Sequence, residues 1–279
     1  MNRKISYKQI TIIGLGLMGG AFAKALSVQT SARIVAVDQS QESINYAKQK
    51  KWIYDGFTTI SDSPKVTDLI VLATPVSTLP NILQAIDGHY ENEPQILDIS
   101  SVKANVINYI NHSDLKNRFI SCHPMVGSEK GGIITSDQLN FENKTCLLLE
   151  EYYCKKIDDL LKKLGFECII IKAQNHDKYL AVSSHFPYLM ACLTSRLLER
   201  QGYEHEINQA IVGSGFLDTT RISQSEIHWG LDVCLENKNS LKELLNMLKE
   251  EITNLEDAIE SSEKLKTLLS TIKAFRSNL

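Results

Sequence analysis

Six residues near the amino end limit the fold more than any other feature. Gly14-Leu15-Gly16-Leu17-Met18-Gly19 matches G-x-G-x-x-G. The spacing alone is weak, but the apolar run Gln9 to Ile13 precedes it and a helical pattern, Met18 to Val28, follows. A strand passing into a helix through such glycines is the setting in which the motif holds a dinucleotide. The three glycines serve different ends. Gly14 permits the tight turn, Gly16 lets backbone approach a pyrophosphate, and Gly19 lets helix and strand pack closely. Leu17 and Met18 open the helix, whose free N–H groups and positive dipole end suit phosphate. A glycine-rich turn without a ligand is the alternative.

Asp38 ends a second strand pattern, Arg33 to Val37, close to the ~20 residues past the last glycine at which a ribose-binding acid is expected. Its carboxylate would accept from both ribose hydroxyls and repel a 2′-phosphate. No Arg or Lys follows within Gln39-Ser40-Gln41, so the pattern favours NAD over NADP. A plain strand-end turn is the other use of an aspartate there.

Short apolar strands then alternate with helices: helix Gln41 to Lys50, strands Leu69 to Ala73 and Ile96 to Ile99, helix Val102 to Ile110 and strand Phe119 to Cys122. Continuously apolar strands separated by helices predict a parallel sheet covered on both faces. Strands Thr145 to Leu149 and Glu167 to Ile171, flanking helix Tyr152 to Leu164, extend that sheet. Beyond about Ala173 only helical periodicity remains, in Tyr179 to Leu198 and Ser240 to Ser261. The expected class is α/β, with a Rossmann-type dinucleotide-binding domain over 1–173 and an all-helical domain over 174–279.

Composition narrows the partners. Of 279 residues, 43% are hydrophobic and 23% charged, and the net charge of −3 gives no basis for a nucleic-acid or membrane partner. The six cysteines form no C-x-x-C pair, which suggests reduced thiols serving as small core residues in a cytoplasmic protein. Arg3 and Lys4 before an apolar stretch imitate a signal peptide, but Lys24 and the glycine pattern mark that stretch as folded protein. No metal site is expected.

Ligands of open α/β sheets bind beyond the carboxyl ends of strands. Three segments lie there: Ala73-Thr74-Pro75-Val76, Asp98 to Lys103, and His123 to Glu129. Ala73, Thr74, Pro75 and Ser100 are placed with the cofactor. A neutral His123 would take a proton from a substrate hydroxyl while hydride leaves the same carbon for nicotinamide. Ser101 and Lys103 would orient the hydroxyl and supply positive charge. A histidine capping the turn before Pro124 is the alternative.

With these motifs, and with Ser184-His185-Phe186-Pro187 and Asp218-Thr219-Thr220-Arg221, nearly the whole chain resembles the prephenate/arogenate dehydrogenase family of tyrosine biosynthesis. The most specific stretch is His123-Pro124-Met125-Val126-Gly127-Ser128-Glu129. The resemblance implies a cyclohexadienol substrate that loses hydride to NAD and then carbon dioxide, with His123 accepting or sharing the hydroxyl proton and Ser101 orienting that histidine or the hydroxyl. It implies Arg221 on a substrate carboxylate, with Glu129 and Asp218 networked to that arginine, and Ser128, Ser184 and His185 about the substrate. His185 and Trp229 serve equally well as core or as pocket wall. Asp177, next to His176, has a commoner explanation as a helix N-terminal acid. The family often carries a second histidine where this chain has Tyr188, which leaves arogenate, or both substrates, open beside prephenate. A non-catalytic NAD-binding regulator is the remote reading. The resemblance also implies a homodimer through the helical domain, and no carboxy-terminal amino-acid-sensing domain is expected.

Overall fold

The computed structural model describes residues 7–128 and 130–278; Arg3, Lys4 and Glu129 lie outside the described residues. Eight strands form one sheet: β1 Gln9–Ile13, β2 Arg33–Val37, β3 Asp55–Phe57, β4 Leu69–Leu72, β5 Gln95–Asp98, β6 Phe119–Pro124, β7 Lys144–Leu149 and β8 Phe166–Ile171. Their order is β3-β2-β1-β4-β5-β6-β7-β8. The chain therefore leaves β1 in one direction and returns to its other side with β4. That reversal opens a crevice above the carboxyl ends of β1 and β4.

The strand residues explain the two covered faces. In β4, Leu69 and Val71 enter one apolar cluster with Ile10, Ile12, Phe22 and Leu97. Ile70 and Leu72 enter the opposite one with Leu79, Leu83, Val106 and Ile110. Alternate side chains thus fill both cores, which is why the strands read as unbroken apolar runs. The helices covering them include α1 Leu17–Gln29, α2 Gln41–Gln49, α3 Leu79–Ile86 and α4 Ala104–Asn111.

One expectation is corrected. The sheet is not parallel throughout: β6 and β7 pair antiparallel, with Cys122 opposite Leu148 and Pro124 opposite Cys146. Between β6 and β7 the described residues form just the short helix α5 Gly132–Ser136, too little for a full crossover back to the amino end of the sheet. Helix α6 Lys155–Lys163 does provide a crossover, and β7 and β8 are parallel. The short strand β3 was not expected from the sequence. Its Gly56 backs onto Ile44 of α2, and a Cβ there would meet that side chain at 2.5 Å.

From Ala173 the elements are helical: α7 Ala173–Leu180, a π-helical turn Ala181–His185, α8 Phe186–Arg200, α9 His205–Ile211, α10 Ser214–Thr220 and α11 Ile227–Glu236. The chain divides into two compact units, the first ending at Asn237 and the second beginning at Lys238. The second unit is a helical pair, α12 Lys238–Ile259 and α13 Ser262–Ser277. It exposes Met247, Ile252, Leu255, Ile259, Leu269, Ile272 and Phe275. Among the described residues no helix is long and apolar enough to cross a membrane. All six thiols are free; Cys122 and Cys146 are buried and the other four partly so.

Candidate functional site

The glycine loop joins β1 to α1 with three different uses of a missing side chain. Gly14 has φ +96°, and a Cβ there would sit 2.6 Å from the Ala73 carbonyl oxygen. At Gly19 a Cβ would fall 1.8 Å from the Gly14 carbonyl oxygen, so strand and helix approach too closely for any other residue. At Gly16 a Cβ would meet nothing within 4 Å, because this glycine faces the cleft. Among the described residues no side chain caps the first turn of α1, and no acid occupies it. The turn therefore offers backbone donors and a positive dipole end to a ligand. Beside it, the Asp38 carboxylate accepts from Leu15 N at 2.5 Å and Ser40 N at 2.7 Å, tying the end of β2 to the loop. This arrangement fits a dinucleotide.

A cleft of about 590 Å³ runs over the carboxyl ends of β1, β4, β5 and β6. Its sheet side is lined by Gly16, Leu17, Met18, Ala73, Thr74, Pro75, Ser100, Ser101, His123 and Ser128. Its helical side is lined by Ser184, His185, Arg221 and Trp229. Helix α11 hangs over the β4 loop through Asp232, whose carboxylate accepts from Val76 N at 2.8 Å. The N–H of Gly131 donates to Glu226 at 3.2 Å, closing the other end.

His123 lies near the end of β6, where Leu147 of β7 is its pairing partner. Its Nδ1 lies 3.0 Å from Nε2 of His176, and His176 Nδ1 lies 2.7 Å from Asp177 Oδ1. Burial first, then the neighbouring His176, Lys103 and His185, hold His123 well below the usual histidine range. Its imidazole is neutral near pH 7.

Beneath it lies a buried ion pair. Lys103 and Asp98 are both fully buried, with Nζ 2.6 Å from Oδ2. The ammonium also donates to the Cys122 carbonyl at 2.7 Å and to Ser100 Oγ at 3.3 Å, while Ser121 Oγ donates to the same Asp98 oxygen at 2.7 Å. Donors and acceptors are matched, as a buried pair requires.

On the helical side, the π-helical turn delivers Ser184 and His185. His185 is 1% exposed. Asn237 Nδ2 donates to the Asp177 carbonyl at 2.7 Å and lies 3.2 Å from His185 Nδ1. Because a carbonyl can only accept, that atom is the amide nitrogen, and His185 Nδ1 is an acceptor. The proton of the neutral ring is then on Nε2, which has no partner among the described residues. Burial lowers this histidine to about 4. His185 is therefore a neutral donor on the cleft wall. Trp229 packs edge-on against it, with centroids 6.4 Å apart.

Several expected residues do not meet the cleft. Lys103 is enclosed beneath it, so its charge acts on His123 and not by contact with a ligand. Gly14 and Glu129 differ in kind: the first lies under the loop, and the second is outside the described residues. Asp218 is exposed on α10 and is not among the lining residues. Tyr188 is also absent from the lining. It packs edge-on against Trp229 with centroids 5.1 Å apart, and its hydroxyl sits against the Cα side of Gly230. Asp177 is not an N-terminal acid of its own helix; it lies inside α7 and caps α4, accepting from Lys103 N at 2.9 Å and Ala104 N at 2.8 Å. Sequence reading missed His176, Asn237, Glu226, His228 and Asp232. The adjacent pair His176-Asp177 was the only local signal for any of them.

Comparison with known proteins agrees with this geometry. A model described as prephenate dehydrogenase, nucleotide-binding domain, matches residues 22–168, and one described as prephenate dehydrogenase, dimerization domain, matches 172–274. The first match begins beyond the glycine loop, so the loop's assignment stands on its own geometry. A prephenate dehydrogenase of Lactococcus lactis subsp. cremoris is 30% identical over 251 residues, 89% of this chain and 70% of the relative. One from Bacillus subtilis is 27% identical over 280 residues, 97% of this chain and 76% of the relative. The crystal structure of prephenate dehydrogenase from Aquifex aeolicus, in complex with hydroxyphenyl propionate and NAD+, superposes with a TM-score of 0.87 at 27% identity and covers 99% of both chains.

Proposed function

The chain belongs to the prephenate dehydrogenase family, and on that premise we propose that it oxidatively decarboxylates prephenate to 4-hydroxyphenylpyruvate with NAD as hydride acceptor. The observation that carries this reading is that the open glycine Gly16, the neutral His123 and Arg221 line one cleft. NAD, when bound, accepts the hydride that leaves C4 of the ring. Gly16, Leu17 and Met18 would hold its pyrophosphate, Ala73, Thr74, Pro75 and Ser100 would lie beside it, and Asp38 would accept from its ribose.

The protein's own residues do the rest. His123 takes the C4 hydroxyl proton as the carbon becomes a carbonyl, and Ser101 orients that hydroxyl. The ring then loses its carboxylate as carbon dioxide and the electron pair of that bond makes it aromatic, which draws the reaction forward. Arg221 binds a substrate carboxylate in a two-pronged, charge-assisted contact. His185 Nε2 donates to a second acceptor on the substrate, and Ser128, Ser184 and Trp229 complete the wall.

The functional division falls at 173–174, and the protein acts in the cytoplasm as a homodimer through its helical part. The exposed apolar side chains of α12 and α13 support that assembly. Arogenate is the competing substrate. Comparing kcat/KM for prephenate and arogenate, each with NAD and NADP, tests the assignment. A clear preference for prephenate and NAD is expected; a preference for arogenate would transfer the activity to the amino-acid substrate.

A further inference from the structure

His123 can act as a base only through a ring nitrogen that carries no proton. A neutral imidazole has one protonated nitrogen and one free, and the hydrogen bond at one decides the other. Here the decision is made two residues behind the cleft. The Asp177 carboxylate receives three donors: Lys103 N and His176 Nδ1 on Oδ1, and Ala104 N on Oδ2. It is thus an acceptor at every contact, and His176 must present Nδ1–H to it. That leaves His176 Nε2 as an acceptor, facing His123 Nδ1 at 3.0 Å.

We propose that Asp177 and His176 are positioning residues that lock His123 in its Nδ1–H tautomer and leave Nε2 free for the substrate proton. This rests on the role given to His123 above, although the tautomer itself does not depend on which substrate is used. Neither residue touches the reacting atoms; both act through His123. The relay also sits on fixed supports. Asp177 is anchored to the start of α4, its own carbonyl is held by Asn237, and His176 is fully buried.

Charges facing the relay come from every side. The Lys103 ammonium, balanced by Asp98, opposes a positive charge on both histidines, and His185 does the same to His123. A proton arriving on His123 Nε2 creates an imidazolium beside that ammonium. His176 Nε2, backed by the Asp177 carboxylate, is the contact that offsets it. The alternative tautomer would turn a donor toward the substrate hydroxyl and block transfer.

Long-range ¹H–¹⁵N NMR of the full chain, with its seven histidines labelled in the ring, reads the tautomer directly, His123 being assigned by its loss in His123→Asn. The wild type should show His123 protonated at Nδ1 and bare at Nε2. In Asp177→Leu no carboxylate accepts from His176 Nδ1, and His123 should no longer hold a single Nδ1–H tautomer. The kcat of that variant should fall about 10²–10⁴-fold, the scale of a misdirected base. His176→Leu should lower kcat at least about tenfold with KM and NAD binding little changed, whereas His176→Gln, whose carbonyl can accept from His123, should recover most of it. A wild-type His123 protonated at Nε2 overturns the relay, as does equal kcat in the Leu and Gln variants. If the tautomer is as expected but neither prephenate nor arogenate is oxidised, the functional assignment fails and the relay stands.

Discussion

The two walls of the cleft are built by opposite means. The sheet side is shaped by side chains that are missing: Gly14 and Gly19 let backbone meet backbone, and Gly16 leaves room. The helical side is shaped by side chains that are present and individually held, among them His185 by Asn237 and Asp232 by Val76 N. The first kind of wall is rigid and indifferent to pH. The second kind depends on the protonation of buried groups. His123 sits where they meet, on a strand but hydrogen-bonded to a helix residue.

Removing the residue at the junction should have the largest effect. His123→Asn is expected to lower kcat about 10²–10⁴-fold, the usual scale for a general base, while the melting temperature stays near that of the wild type. Turnover close to wild type would remove His123 from the chemistry.

Acid should separate the walls next. His185 falls from its ordinary 6.5 to about 4 on folding, and burial also lowers His123 and His176. The unfolded chain therefore binds more protons than the folded one between those values, so stability rises with pH and is lost as pH falls from about 6.5 toward 4. At ~1.4 kcal/mol per pH unit, His185 alone accounts for about 3 kcal/mol. Urea midpoints across that range check this; a midpoint unchanged on acidification would contradict the neutral, buried state of these rings.

The sheet wall should break by bulk instead. Gly19→Ala places a Cβ on the Gly14 carbonyl, and forcing the two apart is expected to cost about 1–3 kcal/mol, read as a lower unfolding midpoint at any pH. Arg221→Ala should raise KM for the substrate about tenfold or more, as the loss of a charge-assisted contact predicts. Gly16→Ala is the mildest change: stability should hold, because none of the described residues comes within 4 Å of the new methyl, and only NAD binding should weaken. Equal destabilisation by Gly16→Ala and Gly19→Ala would erase the distinction between an open and a packed glycine.

The same contrast explains what could be read in advance. Backbone demands leave strict marks, so the glycine loop, the strand ends and the helical run after Ala173 were legible from spacing and periodicity. The reversal at β7 was not, because strand direction depends on whether a crossover intervenes, and Gly132–Ser136 looks like any loop. On the helical wall the important facts are partnerships between distant positions. Asp177 caps a helix 73 residues earlier in the chain, and nothing in its neighbourhood says so. Lys103 reads as a free cation near a site until Asp98 is seen to hold it. Tyr188 reads as a substitute for a polar contact until its hydroxyl is found against Gly230.

The proposed activity stands or falls on NADH formation by the purified, folded chain mixed with NAD and prephenate, run beside His123→Asn. NADH is expected from the wild type, and a rate lower by about 10²-fold or more from the variant at unchanged NAD affinity. A wild-type protein that binds NAD yet forms no NADH with prephenate would contradict it.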